Sequence, residues 1–323
     1  MNPSQLSVSS EMAGKTVAAI IRTSMPDLSW SQARRVVESR RVMLNDELCL
    51  DPARRVKEGD VVDILDWPQR LPEAFAADLV VRHLDAHVVV VEKPAGINTV
   101  RHPEELHWDQ RRRDRAPTLD DRLQKTIAKR LGTSMPRLPR LRKVHRLDRL
   151  TSGLVVFARS ALAEQELGRQ FFKHTVTRRY LAVVPGRVTP QTVTSWLIPD
   201  RGDGRRGSSG VPGRGKIAIT HIEIMEEFPQ HTLLACRLET GRTHQIRVHL
   251  SELGHPVCGD PVYVRRPDGT SFTEGVDAPR LALHAVELGF VHPATHAPLH
   301  WEMPPPPELA NWIESLRHGH SVD

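Results

Sequence analysis

The chain has 323 residues, 39% hydrophobic and 26% charged, enough for two globular domains of ordinary soluble composition. No apolar stretch approaches the length of a membrane span, and Ala18-Ala19-Ile20-Ile21 is too short and lacks the basic leader of a secretory signal. The formal net charge is +6, and residues 101–150 supply the whole surplus, with fifteen Lys or Arg against seven Asp or Glu.

Residues 1–70 are expected to form a small α+β unit. Ser29 or Ser31 can cap a helix whose apolar positions Ala33, Val36 and Val37 fall at i, i+3 and i+4, with Arg34, Arg35, Arg40 and Arg41 on its other face. Val42-Met43-Leu44, the turn signal Asn45-Asp46 and Leu48-Cys49-Leu50 read as a hairpin, and Gly59-Asp60 precedes a strand at 61–65. Residues 67–72, with two prolines, read as a linker to a second domain at 71–323.

That domain opens with two β-rich runs, 79–82 and 87–91, with Asp85 in the turn between them. Lys93-Pro94-Ala95-Gly96 forces another turn, and the arginine-rich residues 101–117 are expected to be an exposed loop. Thr118 starts a helix through Arg130 with Leu119, Leu123 and Ile127 on one face. A helix over 161–172 and a strand over 179–184 follow the apolar run Leu154-Val155-Val156-Phe157-Ala158, which reads as a buried strand. Residues 201–216 hold six glycines and five basic residues, a flexible cationic loop without the GxxxxGK[ST] pattern of a P-loop.

The densest chemistry lies in His145-Arg146-Leu147-Asp148-Arg149-Leu150-Thr151-Ser152-Gly153-Leu154. Asp148 stands between two arginines, ahead of a tight turn and on the lip of the buried strand. The guanidiniums favour its ionised form, which suits a nucleophile or electrostatic stabiliser and not a general acid. A second cluster, Thr240-Gly241-Arg242-Thr243-His244-Gln245-Ile246-Arg247-Val248-His249-Leu250, follows a strand at 232–238. Thr243 can cap its helix, Ile246, Leu250 and Leu253 give the apolar stripe, and Gly254 stops it. Arg247 adjoins that stripe; a buried arginine needs an anion, and Asp148 is the outstanding candidate.

Competing chemistries fit less well. His244 and His249 are about 140° apart around a helix, so they do not share a face as zinc-binding histidines do. Cys49, Cys236 and Cys258 are widely spaced, which excludes a CxxC knuckle and a disulfide framework and points to a reducing, cytoplasmic setting. No GxSxG elbow accompanies Ser152, and clustered carboxylates for a metal-dependent nuclease are lacking. His145 is expected to hold its loop. Tyr180 follows Arg178-Arg179 on a strand: it reads as core with a satisfied hydroxyl, or as an aromatic that stacks on an extruded base. The basic segment ending at Asp148 favours a polyanionic partner, nucleic acid above all.

The decapeptide resembles the HRLDxxTSGL signature of the RluA-type pseudouridine synthases. Lys93-Pro94-Ala95-Gly96, Tyr180 in Arg-Tyr-Leu-Ala, and residues 241–249 match further landmarks of that family in order. Residues 12–66, including Lys57-Glu58-Gly59-Asp60-Val61-Val62, resemble an S4 RNA-binding domain, with Ala13-Gly14-Lys15 where that module usually opens on Arg-Leu-Asp. The resemblance implies an α+β fold: a mixed, largely antiparallel sheet with flanking helices, after a small α+β module. It implies Asp148 as catalytic aspartate, Tyr180 as active-site tyrosine and Arg247 as the ion-pair partner of Asp148. It further implies Arg146 in the space of a flipped base and Ile246 in the uracil pocket, with His145, Thr151, Arg242 and His244 around the substrate and Arg34, Arg35, Arg40 and Arg41 on RNA. No cofactor and no metal are expected. The expected partner is RNA, ribosomal before transfer RNA, acted on by a monomer through attack at C1′ or a glycal. The rival is an RNA-binding or ribosome-assembly protein on a catalytically dead fold, which would need none of Asp148, Tyr180 and Arg247.

Overall fold

The computed structural model describes residues 4–45, 47–67, 78–201, 205–264 and 278–317. Most of the expected linker, Asp46 of the expected turn and residues 202–204 of the glycine-rich loop lie outside them. The chain divides into two compact units, Met1–Leu71 with Arg101–Ala116 and Ile198–Ser209, and Pro72–Val100 with Pro117–Leu197 and Gly210–Asp323.

The elements run as follows. The N-terminal residues form β1 (Ser4–Ser7), α1 (Val17–Ser24), α2 (Trp30–Glu38), β2 (Val42–Leu44), β3 (Glu47–Leu48) and β4 (Val61–Ile64). Next come β5 (Val81–Leu84), β6 (Val88–Lys93), α3 (Gln110–Arg115), α4 (Leu119–Arg130), β7 (Arg142–Lys143), β8 (Ser152–Ala158) and α5 (Ala161–Phe172). Then follow β9 (Thr177–Pro185), β10 (Gln191–Ile198), β11 (Gly207–Ser209), β12 (Lys216–Glu227), β13 (His231–Leu238) and α6 (Gln245–Glu252). The last are β14 (Leu283–Val291), β15 (Pro298–Glu302) and α7 (Pro307–Arg317).

In the N-terminal unit, β1, β4, β2 and β3 form a sheet in that order. Thr16 caps α1, and Ser29 and Gln32 close a reciprocal capping box on α2. Val17, Ile20 and Ile21 of α1 pack with Ala33 and Val37 of α2 against Val42, Leu44, Val62 and Ile64. The helix is shorter than its arginine pattern suggests. Arg34 and Arg35 are exposed on α2, but Ser39 ends it. Arg40 takes a left-handed conformation (φ 65), and Arg41 donates to the Leu65 carbonyl at 2.8 Å.

Residues 101–117 are not the exposed loop expected. A short 3-10 turn at Pro103–Glu105 precedes α3, and Arg101, Glu105 and Trp108 are buried. The Arg101 guanidinium lies 5.5 Å from the Trp108 ring centroid, and Glu105 carboxylate oxygens lie 3.9 Å from Arg54 and 4.0 Å from Arg101. Aromatic packing and charge pairing order a segment whose composition reads as solvated.

The second unit is built on a large sheet in the order β10-β12-β13-β9-β14-β8-β6-β5, with β15 beside β14 and β7 beside β8. Only the β14–β8 pair in that order is parallel. The apolar runs of β6 and β8 are continuous because both faces are covered. Val89, Val91, Val155 and Phe157 face a core shared with α4, α6 and α7, while Val88, Val90, Leu154 and Val156 face the opposite core, where α5 adds Ala163 and Leu167. Such two-sided burial makes the ends of β8 a rigid mount for whatever the preceding loop carries.

Candidate active site

The loop ahead of β8 is braced from below by the Lys93-to-Thr99 turn. Lys93, 1% exposed, donates from Nζ to the carbonyls of Pro94 (3.1 Å), Arg149 (3.0 Å) and Thr151 (2.7 Å). Thr99 exchanges hydrogen bonds with the Leu147 backbone, donating at 2.8 Å and accepting at 3.1 Å. Gly96 donates to the Arg149 carbonyl, and Arg149 Nε returns a bond to Gly96 at 3.1 Å. Arg149 is thus a structural clamp. At the strand entry, Gly153 has φ 130, and a Cβ there would lie 2.3 Å from the Ala285 carbonyl on β14. Only glycine fits this close parallel pairing.

These braces present Asp148, whose side chain is 16% exposed, to a cleft of about 470 Å³. Arg247 Nη1 lies 3.6 Å from Asp148 Oδ2. The expected pair is therefore brought together, but Asp148 is not the main anion. Arg247 binds Asp260 through Nε (2.7 Å) and Nη2 (2.8 Å), and Asp260 also accepts from the backbone of Val262 and Tyr263. The Tyr263 ring lies 5.0 Å from the guanidinium carbon. Burial works against the Arg247 charge, but Asp260 and Asp148 keep it protonated. For Asp148, burial would raise the carboxyl; the charges of His244, Arg247, Arg146 and Lys93 outweigh it and hold it below the ordinary carboxylate range.

The second cluster reaches the cleft by a different start to α6 than expected. His244, not Thr243, is the N-cap, in a left-handed conformation (φ 59) and without a side-chain cap bond. Its Nδ1 hydrogen-bonds the Tyr263 hydroxyl at 2.8 Å. The turn before it is pinned by Gln245, whose Oε1 accepts from Thr240 Oγ1 (2.7 Å) and the Arg242 amide (3.0 Å), while Nε2 donates to Ile219 and Thr220. Arg242 donates from Nε to the Ile217 carbonyl. His249 hydrogen-bonds Ser195 and Thr220 and so ties α6 to β10 and β12 rather than to a metal.

Tyr180 on β9 lines the same cleft at 7% exposure. Among the described residues no protein group hydrogen-bonds its hydroxyl, and the ring is buried in the core as one of the two readings expects. Burial pushes the hydroxyl above its ordinary value; Arg178 opposes and Asp148 reinforces that shift. Arg178 is itself buried, donating to the carbonyls of Leu238 and Glu239. Arg146, exposed, and Ile246, buried, also line the cleft, as do Thr151, Arg242 and His244. His145 serves the loop: its Nε2 accepts from the Val156 amide at 3.0 Å, and it stacks on Phe171. Burial, with Arg178 nearby, pushes its imidazole down to about 3.

Arg34, Arg35, Arg40 and Arg41 belong to the N-terminal unit. Among the described residues, two side-chain groups come close enough to suggest a cation site, and neither lines the cleft. In the first, His292 Nδ1 accepts from the amides of Ala294 and Thr295, so Nε2 carries the proton it shares with Asp85 and has no lone pair to offer. In the second, Glu287 and Glu302 already hold Arg179 at 2.7 and 2.9 Å.

Sequence reasoning missed Asp260, Gln245 and the bracing role of Lys93. Asp260 had a signal: Gly259-Asp260-Pro261 is a tight turn downstream of a buried arginine in need of an anion. Gly259 has φ 69, and a Cβ there would meet the Arg280 carbonyl at 2.2 Å. Lys93 bonds to backbone carbonyls and Gln245 to two backbone groups and two threonine hydroxyls far from any simple spacing rule, which leave little trace in residue types.

A family model for RNA pseudouridylate synthase matches residues 87–252, and an S4 domain model matches residues 18–62. The chain is 34% identical to the ribosomal large subunit pseudouridine synthase D of Nitrosomonas europaea, over 98% of this chain and 89% of that one. It is also 34% identical to a Bacillus subtilis protein named as an uncharacterized RNA pseudouridine synthase, over 98% of this chain and 99% of that one. Among solved structures, the human RNA Pseudouridylate Synthase Domain Containing 4 shares the fold with a TM-score of 0.57 at 21% identity, over 73% of this chain and 92% of that one.

Proposed function

The chain belongs to the RNA pseudouridylate synthase family, and on that premise we propose that it isomerises uridines of large-subunit ribosomal RNA with Asp148 as the group that engages the ribose. One observation carries the reading: a single carboxylate, kept ionised by the positive groups around it, faces a cleft that arginines line. Residues 1–70 supply an RNA-holding module, with the exposed Arg34 and Arg35 available to phosphates and the half-buried Arg40 and Arg41 just beyond that helix, and residues 71–323 the catalytic domain. The protein acts as a monomer in the cytoplasm.

A stacked uridine must first leave the helix or loop, at a cost of a few kcal/mol. Arg146, exposed at the cleft, is suited to fill the space it vacates. Asp148 then adds a carboxylate oxygen to C1′ as the electron pair of the N1–C1′ bond departs onto uracil; in a glycal route the same ionised carboxylate is required. Uracil turns against Ile246, C5 attacks C1′, and the carboxylate is released. The C5 proton is removed last, and N1 gains one. Substrate and product are isomers, so no electron carrier or group donor enters the balance.

Tyr180 is the base this scheme assigns. At rest its hydroxyl holds its proton, because burial and the Asp148 charge both raise it. Arg178 is the neighbour that favours the phenolate, and Asp148 has regained its charge by the time the C5 proton leaves, so Tyr180 takes that proton as its own passes on towards N1.

Mapping pseudouridines in ribosomal and transfer RNA from cells with and without the gene tests the substrate. The proposal expects sites in large-subunit ribosomal RNA to vanish. Loss confined to transfer RNA would overturn it.

A further inference from the structure

The cleft carries one aromatic that the proposed chemistry leaves idle. Phe172 closes α5 and is 83% exposed, yet it lines the cleft together with Asp148 and Tyr180. Its neighbour Phe171 has a structural task, stacking on His145 with ring centroids 4.7 Å apart and carrying the Arg178 guanidinium at 5.3 Å. Phe172 makes no ring or cation contact among the described residues. An exposed phenyl ring at a helix end adds nothing to the core, and its position at the cleft asks for another account.

Its surroundings are cationic. Arg146, Arg178 and Arg242 line the cleft with it, the exposed Lys173 follows it, and His174 in a left-handed conformation (φ 58) turns the chain towards β9. A flat apolar face among positive charges matches single-stranded nucleic acid, whose bases offer π-faces and whose phosphates offer charge. The extruded uracil is not its partner. That base must be shielded from water beside Asp148 and Tyr180, whereas Phe172 stands in solvent.

We propose that Phe172 stacks on the base of a nucleotide flanking the target uridine, so that the strand is held in register while the uridine is extruded. The inference rests on the reading of the cleft as a uridine site. A larger π-face stacks better, so a purine neighbour is favoured over a pyrimidine.

The test uses the full-length protein and transcripts of large-subunit ribosomal RNA tritiated at uridine C5. Phe172→Ala is expected to raise KM about tenfold with kcat within about twofold, and Phe172→Trp to restore the wild-type KM. Phe172→Leu should behave like Ala, because it keeps the apolar bulk without the ring face. The melting temperature should be unchanged in all three. An alanine variant with wild-type KM, or a leucine variant equal to wild type, would overturn the stacking role while leaving the synthase reading intact. A wild-type protein that releases no tritium from any RNA would overturn the reading of the cleft, and this inference with it.

Discussion

Arg247 grips Asp260 with two hydrogen bonds, Nε and Nη2 to the two carboxylate oxygens at 2.7 and 2.8 Å, where the Asp260 side chain has no exposure. The third nitrogen, Nη1, is left to face Asp148 at 3.6 Å. One buried anion therefore orients the guanidinium that stabilises another. Arg247→Lys keeps the charge but cannot make the two-pronged bond. Turnover should fall at least about 100-fold, and the acid limb of the kcat profile should move to higher pH, because Asp148 loses part of what holds its carboxyl down. Asp260→Asn should lower stability by about 3–5 kcal/mol, the usual cost of breaking a buried pair. An unshifted kcat profile in Arg247→Lys, or wild-type stability in Asp260→Asn, would contradict the arrangement.

Gly153 permits the close approach of β8 to β14 beside the site. Its φ of 130 and a would-be Cβ 2.3 Å from the Ala285 carbonyl leave no room for a side chain. Gly153→Ala should cost at least about 3 kcal/mol, read by denaturant unfolding, and should lower activity in proportion to the folded fraction. An alanine variant with wild-type stability would show that β8 and β14 can separate freely.

Three histidines whose charged form is poorly solvated make the fold acid-sensitive before any carboxylate does. Burial pushes His249 and His284 down to about 4, and burial and Arg178 push His145 down to about 3. Each binds fewer protons folded than unfolded between those values and the ordinary 6.5. Their contribution is complete above pH 6.5 and is lost as pH falls towards 4, at up to roughly 3 kcal/mol for each of His249 and His284. Calorimetry at pH 7, 5.5 and 4.5 should show a steady fall in melting temperature. A flat profile over that range would refute it.

Tyr180→Phe removes the only hydroxyl assigned to the last proton transfer and leaves the ring in place. RNA affinity and melting temperature should stay near wild type while pseudouridine formation drops by about 100-fold or more. Wild-type turnover would move the base elsewhere.

Periodicity and turn chemistry made much of the scaffold legible. Leu119, Leu123 and Ile127 are buried on α4 as their spacing requires, and the apolar run after Gly153 is a strand covered on both faces. What stayed hidden depends on partners distant in sequence. Arg101 and Trp108 bury a segment that composition assigns to solvent, and Asp260 takes the two shortest bonds of an arginine whose expected anion is Asp148. His244 adopts a left-handed backbone, which histidine enters more readily than most residues, and so starts α6 one residue after the expected Thr243 cap. Residue types carried the chemistry; the bracing by Lys93 runs through backbone carbonyls, and that by Gln245 is split between backbone groups and the hydroxyls of Thr220 and Thr240, so neither had a residue code to read.

The central claim is that ionised Asp148 attacks or unloads the ribose of an extruded uridine. Tritium release from ribosomal RNA labelled at uridine C5, by the wild type and by Asp148→Asn at matched RNA occupancy, tests it most directly. The account predicts release by the wild type and none above background by the variant, with RNA affinity largely retained. Wild-type release by Asp148→Asn would contradict it.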